Sequence, residues 1–327
     1  SSDLNNLKKV SLSALAGSLA MVSAQAGDFT VTGGAEMTYL STSENQGSTG
    51  NPFGMSHNID LTGSGEVNGI GWTVYTGTTG QSLAGDSSSL VFDLGDMGTV
   101  SFDQGVGING IGTLANNTPT AYEEADHNTS VLGDGLDVTG DTGTIGYATT
   151  FAGLGIDIEY NPSHANATKA TAGSGTGASS GSNLNYALTY EVMSGLTMGF
   201  GASKTEYTSA SALDDAEWTV SANYAIDRFK VGYQQSEITT AGAMTGRVVA
   251  YSVAANVNES LSVSYGVSDH EKSSTSSAHI TEENTGVNAA YTMGSAAVRL
   301  SANTTDNAGG IQADNREAIE LSLNLSF

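Results

Sequence analysis

The 327-residue chain contains no cysteine. That excludes a disulfide scaffold, a thiolate zinc site and a cysteine nucleophile. It is poor in charge, with 13% Asp, Glu, Lys and Arg, and poorest in positive charge: 10 Lys+Arg against 34 Asp+Glu, a net charge of −24. With a pI near 4.1, no basic surface exists to displace counterions from phosphates, so nucleic acid is excluded as a partner. Mean hydropathy is −0.14, and no apolar run reaches the roughly 18 residues of a membrane-crossing helix. The 42 glycines do not recur every third residue, so the chain is not collagen-like. Its 13 Tyr, 8 Phe and 2 Trp sit in patterned segments, which argues against disorder.

Residues 1–26 read as a secretory signal peptide. Lys8 and Lys9 precede the mostly apolar or small stretch Val10 to Val22, and Ala24-Gln25-Ala26 supplies a small-residue cleavage site. The expected mature domain is 27–327.

That domain alternates. At its end Ile319, Leu321, Leu323, Leu325 and Phe327 interleave with Glu320, Ser322, Asn324 and Ser326. Period two puts the two sets on opposite faces of a strand. The pattern recurs at Leu184 to Val192, Trp218 to Tyr224, Val249 to Val257 and Leu261 to Val267. The polar positions are Ser, Thr, Asn, Gly and Gln, where the water face of a soluble sandwich usually carries Lys and Glu. Segments of about ten residues with this dyad predict a transmembrane β-barrel, closed so that every backbone group is paired. Sixteen segments are legible, from 28–40 to 315–327. Long connections, among them 106–141 and 238–246, alternate with short ones such as Asn68-Gly69, a strong hairpin dipeptide. Phe29, Tyr39, Tyr160, Tyr190, Tyr224, Phe229 and Tyr291 fall near strand ends, where aromatic girdles sit.

Three stretches carry a resemblance: Phe29-Thr-Val-Thr-Gly-Gly-Ala-Glu-Met-Thr-Tyr39, Leu94-Gly-Asp-Met-Gly-Thr-Val-Ser-Phe-Asp-Gln-Gly105, and the ending Leu321-Ser-Leu-Asn-Leu-Ser-Phe327. They resemble the first strand, the hairpin before the third loop and the terminal strand of Gram-negative outer-membrane general porins of alphaproteobacterial type. The resemblance implies an all-β, 16-stranded antiparallel barrel in the outer-membrane lipid bilayer, usually a homotrimer. It implies a long third loop folded into the lumen and passive diffusion of small hydrophilic solutes and ions. It also implies recognition of the terminal strand, with Phe327, by the outer-membrane assembly machinery. The Pro-Glu-Phe motif of the enteric third loop is missing.

Residues 106–141 are the expected constriction, because connections beyond about 15 residues are usually functional. Glu123, Glu124, Asp126, Asp134 and Asp137 are its acidic candidates. Strand parity turns Lys230, Arg299 and Arg316 inward; on the lipid face at mid-bilayer a Lys or Arg would cost about 2–4 kcal/mol. In the resembled family, basic wall residues oppose the acidic loop. Further inward carboxylates are Asp60, Glu66, Asp93, Asp103, Asp157, Glu159, Glu191 and Glu217. Their excess predicts cation selectivity. No cofactor is expected, beyond Ca²⁺ at acidic pairs such as Asp214-Asp215 and Glu282-Glu283. The five histidines read as surface residues without metal-ligand spacing. Gly105-x-Gly107-x-x-Gly110 opens no βαβ unit and is no dinucleotide site. A secreted β-rich adhesion protein without a pore is the alternative, and nothing nominates an enzyme nucleophile.

Overall fold

The computed structural model describes residues 26–43, 50–79, 84–132, 136, 142–162, 182–207, 213–272 and 280–327. The signal-peptide expectation, Asp134 and Asp137 lie outside them. Period-two alternation folds as sixteen strands. They are β1 (Ala26–Thr42), β2 (Phe53–Val67), β3 (Ile70–Thr79), β4 (Ala84–Asp93), β5 (Thr99–Gln104), β6 (Thr142–Phe151), β7 (Leu154–Asn161) and β8 (Asn183–Met193). The second half comprises β9 (Leu196–Thr205), β10 (Asp215–Ile226), β11 (Phe229–Thr240), β12 (Ala243–Asn256), β13 (Leu261–Lys272), β14 (Glu282–Met293), β15 (Ala296–Asp306) and β16 (Arg316–Ser326).

Each strand pairs antiparallel with its neighbours in sequence, and β16 closes on β1. The ring leaves no sheet edge, which excludes the open sandwich or solenoid of the adhesion alternative. Among the described residues no helix is long and apolar enough to cross a membrane.

The two faces differ as alternation requires. Outward residues include Phe29, Met55, Leu184, Tyr190, Tyr251 and Leu321, all exposed. In water this belt would be an aggregation surface; against hydrocarbon it is the expected surface of a spanning barrel. Inward residues such as Asn185, Thr219, Asn288 and Ser301 are buried although polar. Among the described residues the buried side chains are mostly polar.

One rim carries tight turns. Asn68 (φ 53°) and Gly69 (φ 82°) form the turn between β2 and β3, with the left-handed backbone that a two-residue hairpin needs. The other rim carries the longer loops, with one correction to the sequence reading. Residues 238–246 are not a long loop: β11 and β12 extend to a two-residue turn at Ala241 (φ 52°) and Gly242 (φ 79°). Alanine rarely adopts positive φ, so only Gly242 marks this turn in the sequence.

The closing seam is tight. Gly33 N donates to Phe327 O at 3.1 Å and Phe327 N to Gly33 O at 3.0 Å. A Cβ at Gly33 would lie 2.6 Å from the Asn58 carbonyl oxygen and 2.8 Å from the Phe327 ring. Gly33→Ala should lower the barrel's denaturant midpoint by an amount worth about 1–3 kcal/mol, the usual cost of overpacking. An unchanged midpoint in refolding from urea would contradict this account of the seam.

Candidate functional site: a loop collar inside the barrel

The connection between β5 and β6, here L3, starts at an anchor. Asp103, 1% exposed, points inward from β5. Its carboxylate accepts the backbone N–H groups of Val106 (2.8 Å), Gly107 (2.7 Å) and Ile108 (3.0 Å). Asn109 then donates to Ser101 of β5, Gly110 N to Asp157 of β7, and Ile111 N to Asn185 of β8. Ile111 and Leu114 are fully buried and seat over Gly201 and Gly199 of β9. Any larger residue at these two glycines would collide with them.

From Asn117 onward L3 meets the wall strand by strand. Asn117 bonds to Ser221 and Asn223 of β10 and to Gln234 of β11. The Pro119 carbonyl accepts from Ser252 of β12, and Ala121 N donates to Ser264 of β13. Glu123 exchanges backbone bonds with Asn288 of β14. The Glu124 and Ala125 carbonyls accept from Asn303 of β15.

The rhythm has a geometric cause. Strands about 4.8 Å apart and tilted about 40° are spaced about 6.3 Å around the circumference. Two residues of extended chain span about 6.6 Å. A segment running around the wall therefore meets one strand every second residue: 119, 121, 123, 125. A single segment bonded to the polar face of strands from β5 round to β16 has to lie inside the ring. On these bonds L3 runs as a collar along the inward-facing side chains of the wall.

The collar ends in an ionic cluster. Tyr122 OH donates to Glu320 of β16 (2.7 Å) and lies 3.4 Å from Glu36 of β1. Asn128 also donates to Glu320 (2.8 Å). His127 stands between two carboxylates, Nδ1 3.3 Å from Glu123 and Nε2 3.4 Å from Glu320. Glu36 also accepts from Ser322. Beyond the cluster, Ser130 and Val131 N donate to Glu282 of β14, which also receives Gly309 N from the loop between β15 and β16.

Burial shifts the loop groups. It pushes the Glu123 carboxyl upward, with nearby Glu124 and Glu320 adding to the rise and His127 opposing it. For His127, burial disfavours the charged ring, but the bond to Glu320 and the charges of Glu123 and Glu320 outweigh it, so its pKa is raised. The Tyr122 hydroxyl is pushed up by burial and by Glu320.

The expected site residues are only partly brought together. Glu123 faces His127. Asp126 faces the wall, 3.4 Å from the ring of buried His270 on β13. Glu124 adjoins both on the loop. Of the basic trio only Arg299 reaches the cluster, 3.9 Å from Glu36 and with its guanidinium 5.3 Å from the Tyr122 ring centre. Arg316 sits near the loop rim, paired with Asp314 at 3.1 Å. Lys230 lies by the turn rim, lining a cavity with Thr118, Pro119 and Asn223. Three inward carboxylates, Asp103, Asp157 and Glu320, hold the loop rather than stand free in the lumen. Glu282 and Glu283 face opposite sides of β14, one buried and one exposed, so they cannot share a Ca²⁺. Asp214 and Asp215 hold Tyr207. The surface reading of His127 and His270 is corrected: one is half-buried and the other 1% exposed. The spacing Glu123-x-x-x-His127 was the available signal, because four residues on a turn bring side chains together.

No protein-family model matches the sequence, and no curated protein matches it. Solved structures do. An anion-selective porin from Comamonas acidovorans matches at 15% identity over 92% of this chain and 99% of that one, with a TM-score of 0.68. OmpF of Salmonella typhi, in complex with daunomycin, matches at 12% identity over 91% of this chain and 97% of that one (TM-score 0.64). A mutant of the Rh. blastica porin matches at 14% identity over 92% of this chain and 100% of that one (TM-score 0.61). At such identities the likeness is one of fold: this chain has the porin fold.

Proposed function

We propose that the protein is an outer-membrane porin, a water-filled channel for passive diffusion of small hydrophilic solutes, without catalytic activity. The observation that carries the reading is the collar. A polar loop bonded around the inner wall of a closed barrel suits a water-filled passage that the loop narrows. The apolar outer belt suits insertion in lipid, and the exposed Phe327 at the seam suits recognition by assembly machinery. Export by cleavage of residues 1–26, assembly as a homotrimer and kinship with the alphaproteobacterial general porins complete the proposal.

The constriction we assign to Glu123 and Glu124, with Asp126 behind them against the wall and Asp134 and Asp137 further along L3. The opposing positive charge comes from Arg299, with Lys230 and Arg316 toward the two mouths. Around Tyr122 the carboxylates Glu36, Glu123 and Glu320 meet one guanidinium and one imidazole. A lumen biased this way attracts cations, although an anion-selective porin shares the fold. Planar-bilayer recording under a KCl gradient tests both levels. Stepwise conductance with a cation-selective reversal potential is expected. An anion-selective sign would overturn the charge assignment, and a lack of conductance steps the porin reading itself.

A further inference from the structure

The ring of His127 is bracketed. Its Nδ1 stands 3.3 Å from Glu123 Oε2 and its Nε2 3.4 Å from Glu320 Oε2, so opposite nitrogens face different carboxylates. A neutral imidazole carries one N–H and one lone pair, whereas the charged ring donates from both nitrogens. Either neutral tautomer therefore turns a lone pair on a carboxylate oxygen. The charged ring satisfies both neighbours, with charge-assisted bonds that are about twice as strong as neutral ones.

The two contacts do different things. Glu123 lies four residues earlier on the same loop, so its contact closes a turn within L3. That turn also carries the bonds from His127 N to Glu124 O (3.4 Å) and from Thr129 N and Ser130 N to Asp126 O (3.3 and 3.0 Å). Glu320 belongs to β16, so its contact ties the loop to the wall. The groups around the ring favour the proton. Glu123 and Glu124 act on it from L3 and Glu320 from β16. Glu36 stands beside the cluster on β1, paired with Arg299 of β15. Beyond the turn, Asp126 faces His270 of β13, and Ser130 and Val131 meet Glu282 of β14. Burial opposes the charged ring, but the carboxylates outweigh it, and the pKa rises above its ordinary value of about 6.5. A raised folded value means that the tie is fully present below about pH 6.5 and is lost as the pH climbs through the raised value. Tyr122 and Asn128 still donate to Glu320, so the end of the collar loosens without coming free.

We propose that His127 is a proton-operated latch: charged, it closes its own turn on Glu123 and ties the end of L3 to Glu320; neutral, it can donate to only one of the two, and the end of the collar loosens. The latch goes beyond the pore reading and does not need it, because its state is measured on the folded barrel without conduction. The test is amide hydrogen exchange of the full chain in detergent micelles, corrected for intrinsic rates, from about pH 6 to about pH 9 across the histidine range. An NMR titration of the histidine rings runs beside it, the His127 signal being the one lost in His127→Gln. Protection at the His127, Thr129 and Ser130 amides should fall in one step that ends at the ring's own midpoint, above about 6.5. Linkage fixes the size of the step: a midpoint one pH unit above the ordinary value gives about tenfold. Val106, Gly107 and Ile108, at the Asp103 anchor, should show no such step. His127→Gln, uncharged throughout, should abolish it, with far-UV circular dichroism reporting the barrel. Should that variant fail to fold, the agreement between ring midpoint and step size in the unmodified chain decides alone. A His127 midpoint at or below about 6.5, a step that persists in His127→Gln, or an equal step at the Asp103 anchor would overturn the latch.

Discussion

Asp103→Ala should free the root of the collar while leaving the barrel standing. The side chain is almost fully buried and accepts three consecutive backbone N–H groups. Its removal strands donors that each cost about 1–3 kcal/mol when left unpaired. A loss of about 2 kcal/mol or more in local stability is expected even where water satisfies part of the set. The sixteen-stranded ladder does not pass through these bonds, so its spectrum should persist. Hydrogen exchange at Val106, Gly107 and Ile108 should accelerate by about thirtyfold or more. Open-channel current noise should rise as the loop fluctuates. Asp103→Asn, which keeps one acceptor oxygen, should fall between. Unchanged exchange at all three amides in Asp103→Ala would show that the carboxylate does not anchor the loop.

Removing charge at the far end should alter selectivity rather than stability. Glu36 and Glu123 are half-buried beside the lumen, Glu36 in contact with Arg299 and Glu123 with His127. One charge at about 4 Å in water is worth about 1 kcal/mol, about fivefold in local ion concentration, before screening by salt. The double variant Glu36→Gln, Glu123→Gln should therefore reduce the cation-to-anion permeability ratio severalfold at low salt, and less at 1 M, where the Debye length is about 3 Å. Arg299→Gln should move the ratio the other way. Reversal potentials at two salt concentrations measure both. A ratio that ignores all three substitutions would place the selectivity elsewhere along the passage.

The barrel was legible because its physics is local. Alternation assigns faces, and Asn68-Gly69 marks its turn without reference to the rest of the chain; the connection expected at Met193-Ser194 turns one residue later, at Ser194-Gly195. Two stretches resisted. β2 begins at Phe53, four residues before the expected start, although Phe53, Met55 and His57 already alternate. Ala241-Gly242 turns with a turn former only at its second position, alanine standing where Asn or Gly is usual. The collar was legible only as an acidic segment too long to be a plain connection. Where its side chains point is decided by partners far away: Asn117 bonds to Gln234, and Tyr122 to Glu320. Asn288 and Asn303 read in sequence as ordinary inward residues of a strand, and nothing local marks them as hooks for a loop. His127 and His270 were missed for the same reason, since carboxylates distant in sequence meet their rings.

The hooks along the collar's middle are Ser221, Gln234, Ser252, Ser264, Asn288 and Asn303. Amides and hydroxyls neither take up nor release protons over the range in which cells live. Nor do neutral pairs weaken as exposed ion pairs do when an electrolyte thickens. The collar's middle is thus held by fittings indifferent to brine, rain or acid, whereas its root on Asp103 and its end on Glu320 are held by carboxylates, which acid can reach. A change of medium should therefore loosen the collar first at its two ends and last along its middle.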